Sequence, residues 1–185
     1  MFRGTYETTV DKKGRTSLPA RFRDVLTALD DDRLVVTTAF DPCLVAYPYS
    51  EWRKFEERLG ALPTFDAAVV KLKRFYVGGA IESGVDSHGR ILIPQAQREH
   101  AAIDREVVWC GMVGHMEIWN ADRWHELFEI TRSGAGDLTA ALAKAASKLD
   151  EKLARCSADR DLLSTALDNL VQNALEAMPG GGELT

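Results

Sequence analysis

Two aspartate–arginine pairs have a spacing that can do chemistry. Asp11 stands four positions before Arg15 with Gly14 between them, and Asp86 stands four before Arg90 with Gly89 between them. A carboxylate at the start of a glycine-closed turn can accept backbone N–H bonds in the turn and orient the guanidinium that follows. The arginine then leaves the turn in a held rotamer. Its planar fork of donors suits a phosphate, or guanine O6 and N7 in a major groove, and a two-stranded ribbon fits that groove. Lys12 and Lys13 add diffuse phosphate attraction to the first turn. Ser87 and His88 replace them in the second, so the first turn is expected to carry more of the electrostatic affinity. The plainer alternative is a salt-bridged turn with no partner, since Asp and Gly are ordinary turn residues.

The pairs recur because the surrounding chain recurs. Residues 4–23 read GTYETTVDKKGRTSLPARFR and residues 79–98 read GAIESGVDSHGRILIPQAQR. Without a gap they match at Gly4/Gly79, Glu7/Glu82, Val10/Val85, Asp11/Asp86, Gly14/Gly89, Arg15/Arg90, Pro19/Pro94 and Arg23/Arg98. A second matched pair follows in the same order, VVTTAFDPCLVAYPYSEW at 35–52 and VVWCGMVGHMEIWNADRW at 107–124. Two copies imply a pseudo-dimer within one chain, because a solenoid needs at least about three repeats to bury a continuous core.

The elements that must position the pairs follow from periodicity. Alternation over 5–10 predicts a strand, 11–14 a turn closed by Gly14, and 15–18 a returning strand. Pro19 ends that strand and suits the start of a short helix through Phe22. Strands are expected at 34–38 and 43–47 around Asp41-Pro42. Ser50 is expected to cap a helix bearing Trp52, Phe55 and Leu59. Pro63 breaks it, and a helix over 66–76, with Val69, Leu72, Lys73 and Tyr76 at helical spacing, links the copies. The second copy predicts strands at 80–85, 90–93, 107–110 and 116–119, the turn 86–89, and a helix capped by Asn120 that carries Trp124, Leu127 and Phe128. Trp52 and Trp124 read as matched core anchors, and His100 and His125 as surface residues on helices.

Composition excludes several classes. Formal net charge is -5, from 23 Lys and Arg against 28 Asp and Glu, which permits a basic face only where charge is segregated. The stretch through Asp24 is such a place, with Arg3, Lys12, Lys13, Arg15, Arg21 and Arg23. No apolar run approaches the ~20 residues that span a bilayer. The start of the chain alternates instead of forming an apolar run, so no signal peptide is expected. The three cysteines are odd in number and scattered, which fits a reducing cytoplasm. Cys110 and His115 match no zinc spacing. There is no nucleophile–base pair and no phosphate-cradling loop, so no enzyme, cofactor, metal or small-molecule substrate is expected.

MFRGTYETTVDKKGRTSLPARFR and FYVGGAIESGVDSHGRILIPQAQRE, with the strand and Trp-bearing segments, resemble the MraZ family, bacterial transcriptional regulators built from two AbrB-like units. The likeness covers about residues 1–125, and the family's Asp-x-x-x-Arg motif falls on Asp11/Arg15 and Asp86/Arg90. It implies a β-rich α+β fold of duplicated, swapped-hairpin AbrB-like units. It also implies ring assembly, nucleoid association and binding to promoter direct repeats upstream of cell-division and cell-wall genes. Arg15 and Arg90 would make the main contacts to double-stranded DNA, Asp11 and Asp86 would position them, and Lys12, Lys13 and Arg3 would support backbone contacts. Arg21 and Arg23 would either help or make intersubunit ion pairs. The expected organisation is a first unit at 1–60, a linking helix at 61–78, a second unit at 79–132 and a helical extension at 133–185.

That extension is Ala- and Leu-rich over 137–153, and 157–185 resembles the N-box region of sensor histidine kinases. The resemblance would put Asn173 at a magnesium–ATP site, with Asn169 on the same helical face. The later motifs of that fold have no residues here to fall on, and one helix cannot close a pocket. An amphipathic helix with Leu163, Leu167, Leu170, Ala174 and Met178 on one stripe is the competing reading. Two rivals to a DNA-binding regulator therefore stand: a ring scaffold whose arginines meet an acidic protein, and a nucleotide-dependent sensor working through this extension.

Overall fold

The computed structural model describes residues 1–134, Thr139 and residues 141–144. The chain divides into two units, Met1–Phe128 and Glu129–Thr185. The helix expected at 159–178 and the candidate Asn169 and Asn173 lie outside the described residues, as does most of the helix expected at 137–153.

The first unit opens with β1 (Thr5–Thr9), β2 (Arg15–Ser17), α1 (Ala20–Ala28), β3 (Arg33–Thr38), β4 (Cys43–Pro48) and α2 (Tyr49–Gly60). Then α3 (Ala67–Leu72) runs into one π-helical turn, Lys73–Val77. The second copy supplies β5 (Ile81–Gly84), β6 (Arg90–Leu92), α4 (Gln95–His100), β7 (Glu106–Met112) and β8 (His115–Asn120), and α5 (Ala121–Ser133) follows. This is the β-rich α+β architecture expected from the sequence.

The copies exchange strands. A six-stranded antiparallel sheet has the order β1-β7-β8-β4-β3-β5, and β2 and β6 form a separate two-stranded ribbon. The first copy's β1 thus lies on the second copy's β7, while β5 lies on the first copy's β3. Neither copy can complete its sheet alone. The shared core includes Leu18, Phe22, Leu34, Val36, Leu44, Ile91, Ile93, Trp109, Met116 and Ile118, and burying one such large side chain contributes about 1.5–3 kcal/mol.

Three local expectations are corrected. Helix α1 continues past Phe22 to Ala28, because Leu26 returns to the core one turn later and is buried. Its counterpart α4 follows Pro94 just as α1 follows Pro19 and ends at His100, a residue expected on a helix. Ser50 does not cap α2; it sits inside the helix, and its backbone N–H donates to Asp31 Oδ2 at 2.8 Å. His100 is half-buried, donating from Nε2 to the Ala39 carbonyl at 3.0 Å. His125 is exposed and pairs with Glu7 at 3.1 Å.

A fourth concerns register. Matching 35–52 to 107–124 end to end sets Val36 beside Val108. In the sheet, Trp109 faces Tyr6 and Ile118, and the residue facing their counterparts Ile81 and Ala46 is Val36. Strand β3 is therefore one residue out of step with the end-to-end match, and the longer β3–β4 turn absorbs the difference. A one-residue slip exchanges faces, so Val36, not Thr37, shares the core with Trp109.

Candidate nucleic-acid interface

Each turn is built around its aspartate. Asp11 Oδ1 accepts the backbone N–H groups of Lys13 at 2.8 Å and Arg15 at 3.0 Å, while Oδ2 accepts Arg15 Nε at 2.8 Å and Nη2 at 2.6 Å. In the second copy, Asp86 Oδ1 accepts from His88 and Arg90, both at 2.9 Å, and Oδ2 accepts Arg90 Nε at 3.0 Å and Nη2 at 2.9 Å. The loop closes through Gly14 N–H to the Asp11 carbonyl and Gly89 N–H to the Asp86 carbonyl, each at 2.8 Å. Both glycines have positive φ, 82° and 71°, which costs other residues strain.

The clasps show in the carboxyls. Hydrogen bonds from the Arg15 side chain, then its backbone N–H, hold Asp11 down to about 2, and Arg90 does the same to Asp86. Both aspartates are thus anionic at neutral pH and bind their arginines with charge-assisted bonds. Each guanidinium spends Nε and Nη2 on its aspartate; Nη1 has no acceptor among the described residues. The side chains of Arg15 and Arg90 keep 33% and 27% of their surface accessible.

The β2–β6 ribbon sets the two arginines on one face. Arg15 faces Leu92, Thr16 faces Ile91, and Ser17 faces Arg90. Thr16 and Ile91 point into the core and are buried. Strand alternation therefore sends Arg15, Ser17, Arg90 and Leu92 to the opposite, outward face. The arginines sit at its two ends, two residues apart along the ribbon, or about 7 Å at ordinary strand rise. Lys12 and Lys13 are exposed in the first turn, and Ser87 and His88 in the second. Arg3 is not brought to this cluster: it precedes β1, at the end opposite the turn, and its Nη2 approaches Met1 Sδ at 3.6 Å.

Sequence reasoning did not assign Arg23 and Arg98 to the turns. Arg23 Nη1 donates to the Leu18 carbonyl at 3.1 Å, and Arg98 Nε donates to the Ile93 carbonyl at 3.2 Å. Their guanidinium groups lie where a Cβ on Gly89 and Gly14 would point, so each arginine covers the other copy's turn. Their matched places in the repeat were the available signal. A groove of about 590 Å³ is lined by Arg23, Leu26, Thr27, Asp30, Asp31 and Asp32; its consecutive carboxylates make it a poor seat for a polyanion. Among the described residues no group of His, Cys, Asp and Glu could hold a metal ion, and no helix is long and apolar enough to cross a membrane.

A duplicated β-rich unit with paired Asp–Arg turns on one exposed ribbon defines the class. The family described as "MraZ protein, putative antitoxin-like" matches residues 1–75 and again 76–144, so the chain belongs to the MraZ family. The transcriptional regulator MraZ of Marinomonas sp. (strain MWYL1) is 46% identical over 127 residues, 67% of this chain and 83% of that protein. That of Caldanaerobacter subterraneus subsp. tengcongensis is 40% identical over 131 residues, 71% of this chain and 89% of that protein. That of Heliobacterium modesticaldum is 43% identical over 129 residues, 70% and 87% respectively.

Proposed function

We propose that this chain is a non-enzymatic transcriptional regulator that binds double-stranded DNA at promoter direct repeats. Arg15 and Arg90 make the main contacts, Asp11 and Asp86 hold them, and Lys12 and Lys13 meet adjacent phosphates. Arg3 serves a phosphate farther along the duplex. The observation that carries this reading is the pair of equivalent clasps on one outward ribbon face, each leaving Nη1 without an acceptor among the described residues. Family membership and relatives named as transcriptional regulators support it.

One ribbon makes few phosphate contacts, so useful affinity needs several chains acting together. Self-association into a ring engaging successive repeats is therefore part of the proposal. So are an AbrB-like swapped-hairpin origin for the strand exchange, the unit boundaries 1–60, 61–78, 79–132 and 133–185, and a place at the nucleoid in the cytoplasm.

The test is a salt-titrated gel shift with duplex direct repeats against scrambled duplex. Arg15→Ala should weaken binding by about 1–3 kcal/mol, the worth of a good bidentate base contact, with assembled mass unchanged. Equal retention of scrambled duplex, or unaltered affinity in the variant, would overturn the assignment. Retention of an acidic protein instead of duplex would favour the scaffold rival.

A further inference from the structure

We propose that Arg23 and Arg98 are positioning residues acting across the duplication: Arg98 of the second copy sets the first copy's DNA-facing turn, and Arg23 of the first copy sets the second's. The affinity part of this inference rests on the DNA-binding reading above.

The geometry is reciprocal at every step. Leu18 N–H donates to the Gly89 carbonyl at 2.9 Å, and Ile93 N–H donates to the Gly14 carbonyl at 2.8 Å. Each turn is thereby tied to the residue just beyond the other copy's short strand. The carbonyls of those same residues accept the arginines, Leu18 from Arg23 and Ile93 from Arg98. Each guanidinium then lies against the glycine already bonded there: a Cβ on Gly14 would come 3.3 Å from Arg98 Nε, and one on Gly89 would collide with the Arg23 guanidinium. Gly14 immediately precedes Arg15, and Gly89 immediately precedes Arg90.

Neither Arg23 nor Arg98 has a carboxylate within ion-pair distance among the described residues. An ion pair therefore does not explain why both copies keep arginine here. A planar guanidinium does, because it can donate in its plane to a carbonyl while a flat face covers a glycine. Lysine has no such face. Each clasp is thus steadied by an arm from the other copy.

The test is a double-mutant cycle read as duplex affinity in the full chain. Arg98→Met keeps the apolar stem and removes the guanidinium. Alone it should lower affinity about tenfold, within the range of coupling carried through a shared stretch of backbone. In an Arg15→Ala background the further loss should shrink below about twofold, while in an Arg90→Ala background it should stay near the full tenfold. Arg23→Met should show the mirror pattern, coupled to Arg90 and independent of Arg15. Equal losses in both backgrounds would mark a separate DNA contact and overturn the proposal; so would coupling within one copy, or no loss at all.

Amide hydrogen exchange supplies a readout that needs no DNA. Arg98→Met should speed exchange at Lys13, Gly14 and Arg15 and leave His88, Gly89 and Arg90 unchanged, and uniform change at both turns would overturn the brace. If Arg98→Met does not fold, Arg98→Lys should give the same one-sided pattern at smaller amplitude. A parent chain with no duplex affinity would sink the DNA-binding reading, while exchange would still decide the brace.

Discussion

Phe22 and Gln97 hold matched positions in the two copies, yet their surroundings have opposite chemistry. Phe22 packs edge-on against Phe2, Tyr6 and Trp109, with ring centroids 5.5, 5.0 and 6.4 Å away. Gln97 is as deeply buried, but its Nε2 donates to the carbonyls of Val36 at 2.7 Å and Gly79 at 2.9 Å. At the sheet positions matched to the aromatic set, Val36 stands where Trp109 stands, and Ile81 where Tyr6 stands. Backbone–backbone bonds hold the N-terminal end of β1 in register, Gly111 N–H to the Gly4 carbonyl at 2.9 Å. At the matched end, Gln97 takes the Gly79 carbonyl instead. Within this chain this part of the core has diverged while the Asp, Gly and Arg of the turns have not. The geometry of Asp, Gly, Arg and the covering arginine is the stricter demand.

The largest expected effect breaks the aromatic end. Phe22→Ala removes a ring from a closed cluster and should cost about 3–5 kcal/mol by urea denaturation. Gln97→Met keeps the volume but takes the side-chain donor from the buried Val36 carbonyl and the half-buried Gly79 carbonyl, which should cost about 1–3 kcal/mol. Equal costs would mean the two ends are not built on different principles.

The next test separates two turns that look alike. Gly14→Ala and Gly89→Ala both force a side chain into positive φ, at about 1–2 kcal/mol. At Gly14 the new Cβ would also lie 2.8 Å from the Ile93 carbonyl oxygen, a backbone atom fixed in the ribbon. At Gly89 it meets the Arg23 guanidinium, the far end of a flexible chain that can swing aside. Gly14→Ala should therefore lower the melting temperature more than Gly89→Ala. Gly89→Ala should instead dislodge Arg23 and loosen the second clasp.

The clasps and the repeat were legible in the sequence because they are local: Asp, Gly and Arg act within one turn, and Gly14 and Gly89 mark its closure. Trp52 reads correctly as a core anchor and is buried, while its match Trp124 is half-buried against Trp119 and Phe128. What depends on distant residues was not legible. Asp31 supplies the acceptor at the start of α2 that Ser50 was expected to provide. The linking helix ends in a π turn whose carbonyls are drawn off, Tyr76 by Thr37 Oγ1 and Phe75 by Thr38 Oγ1. No periodicity along the linker reveals those threonines. The exchange of strands and the one-residue slip of β3 are likewise properties of pairing. Helix α4 was legible only through His100, without bounds, because its apolar face is thin and its buried residue is polar Gln97.

A smaller effect concerns the unequal charges of the turns. If Lys12 and Lys13 each neutralise one phosphate, replacing both with Ala should flatten the slope of log affinity against log salt by up to about 2. Ser87→Ala should leave that slope unchanged. Equal slopes for the two variants would remove the electrostatic distinction between the copies and leave only the distinction in their cores.

The smallest effect is one on which the copies should agree. Asp11 and Asp86 are both held to about 2, against an ordinary 3.8, first by the side-chain bonds from Arg15 and Arg90. A carboxyl depressed in the folded state stabilises it fully above the unfolded value and loses that contribution only as pH falls through the folded one. Between pH 5 and 3, carboxyl-carbon resonances of ordinary exposed aspartates should therefore move while those of Asp11 and Asp86 stay near their ionised positions. Arg15→Ala should bring Asp11 into that moving set and leave Asp86 outside it, because each aspartate is bonded by the arginine of its own turn. Movement of both carboxyls in the single variant would mean that the turns share their charge as well as their braces.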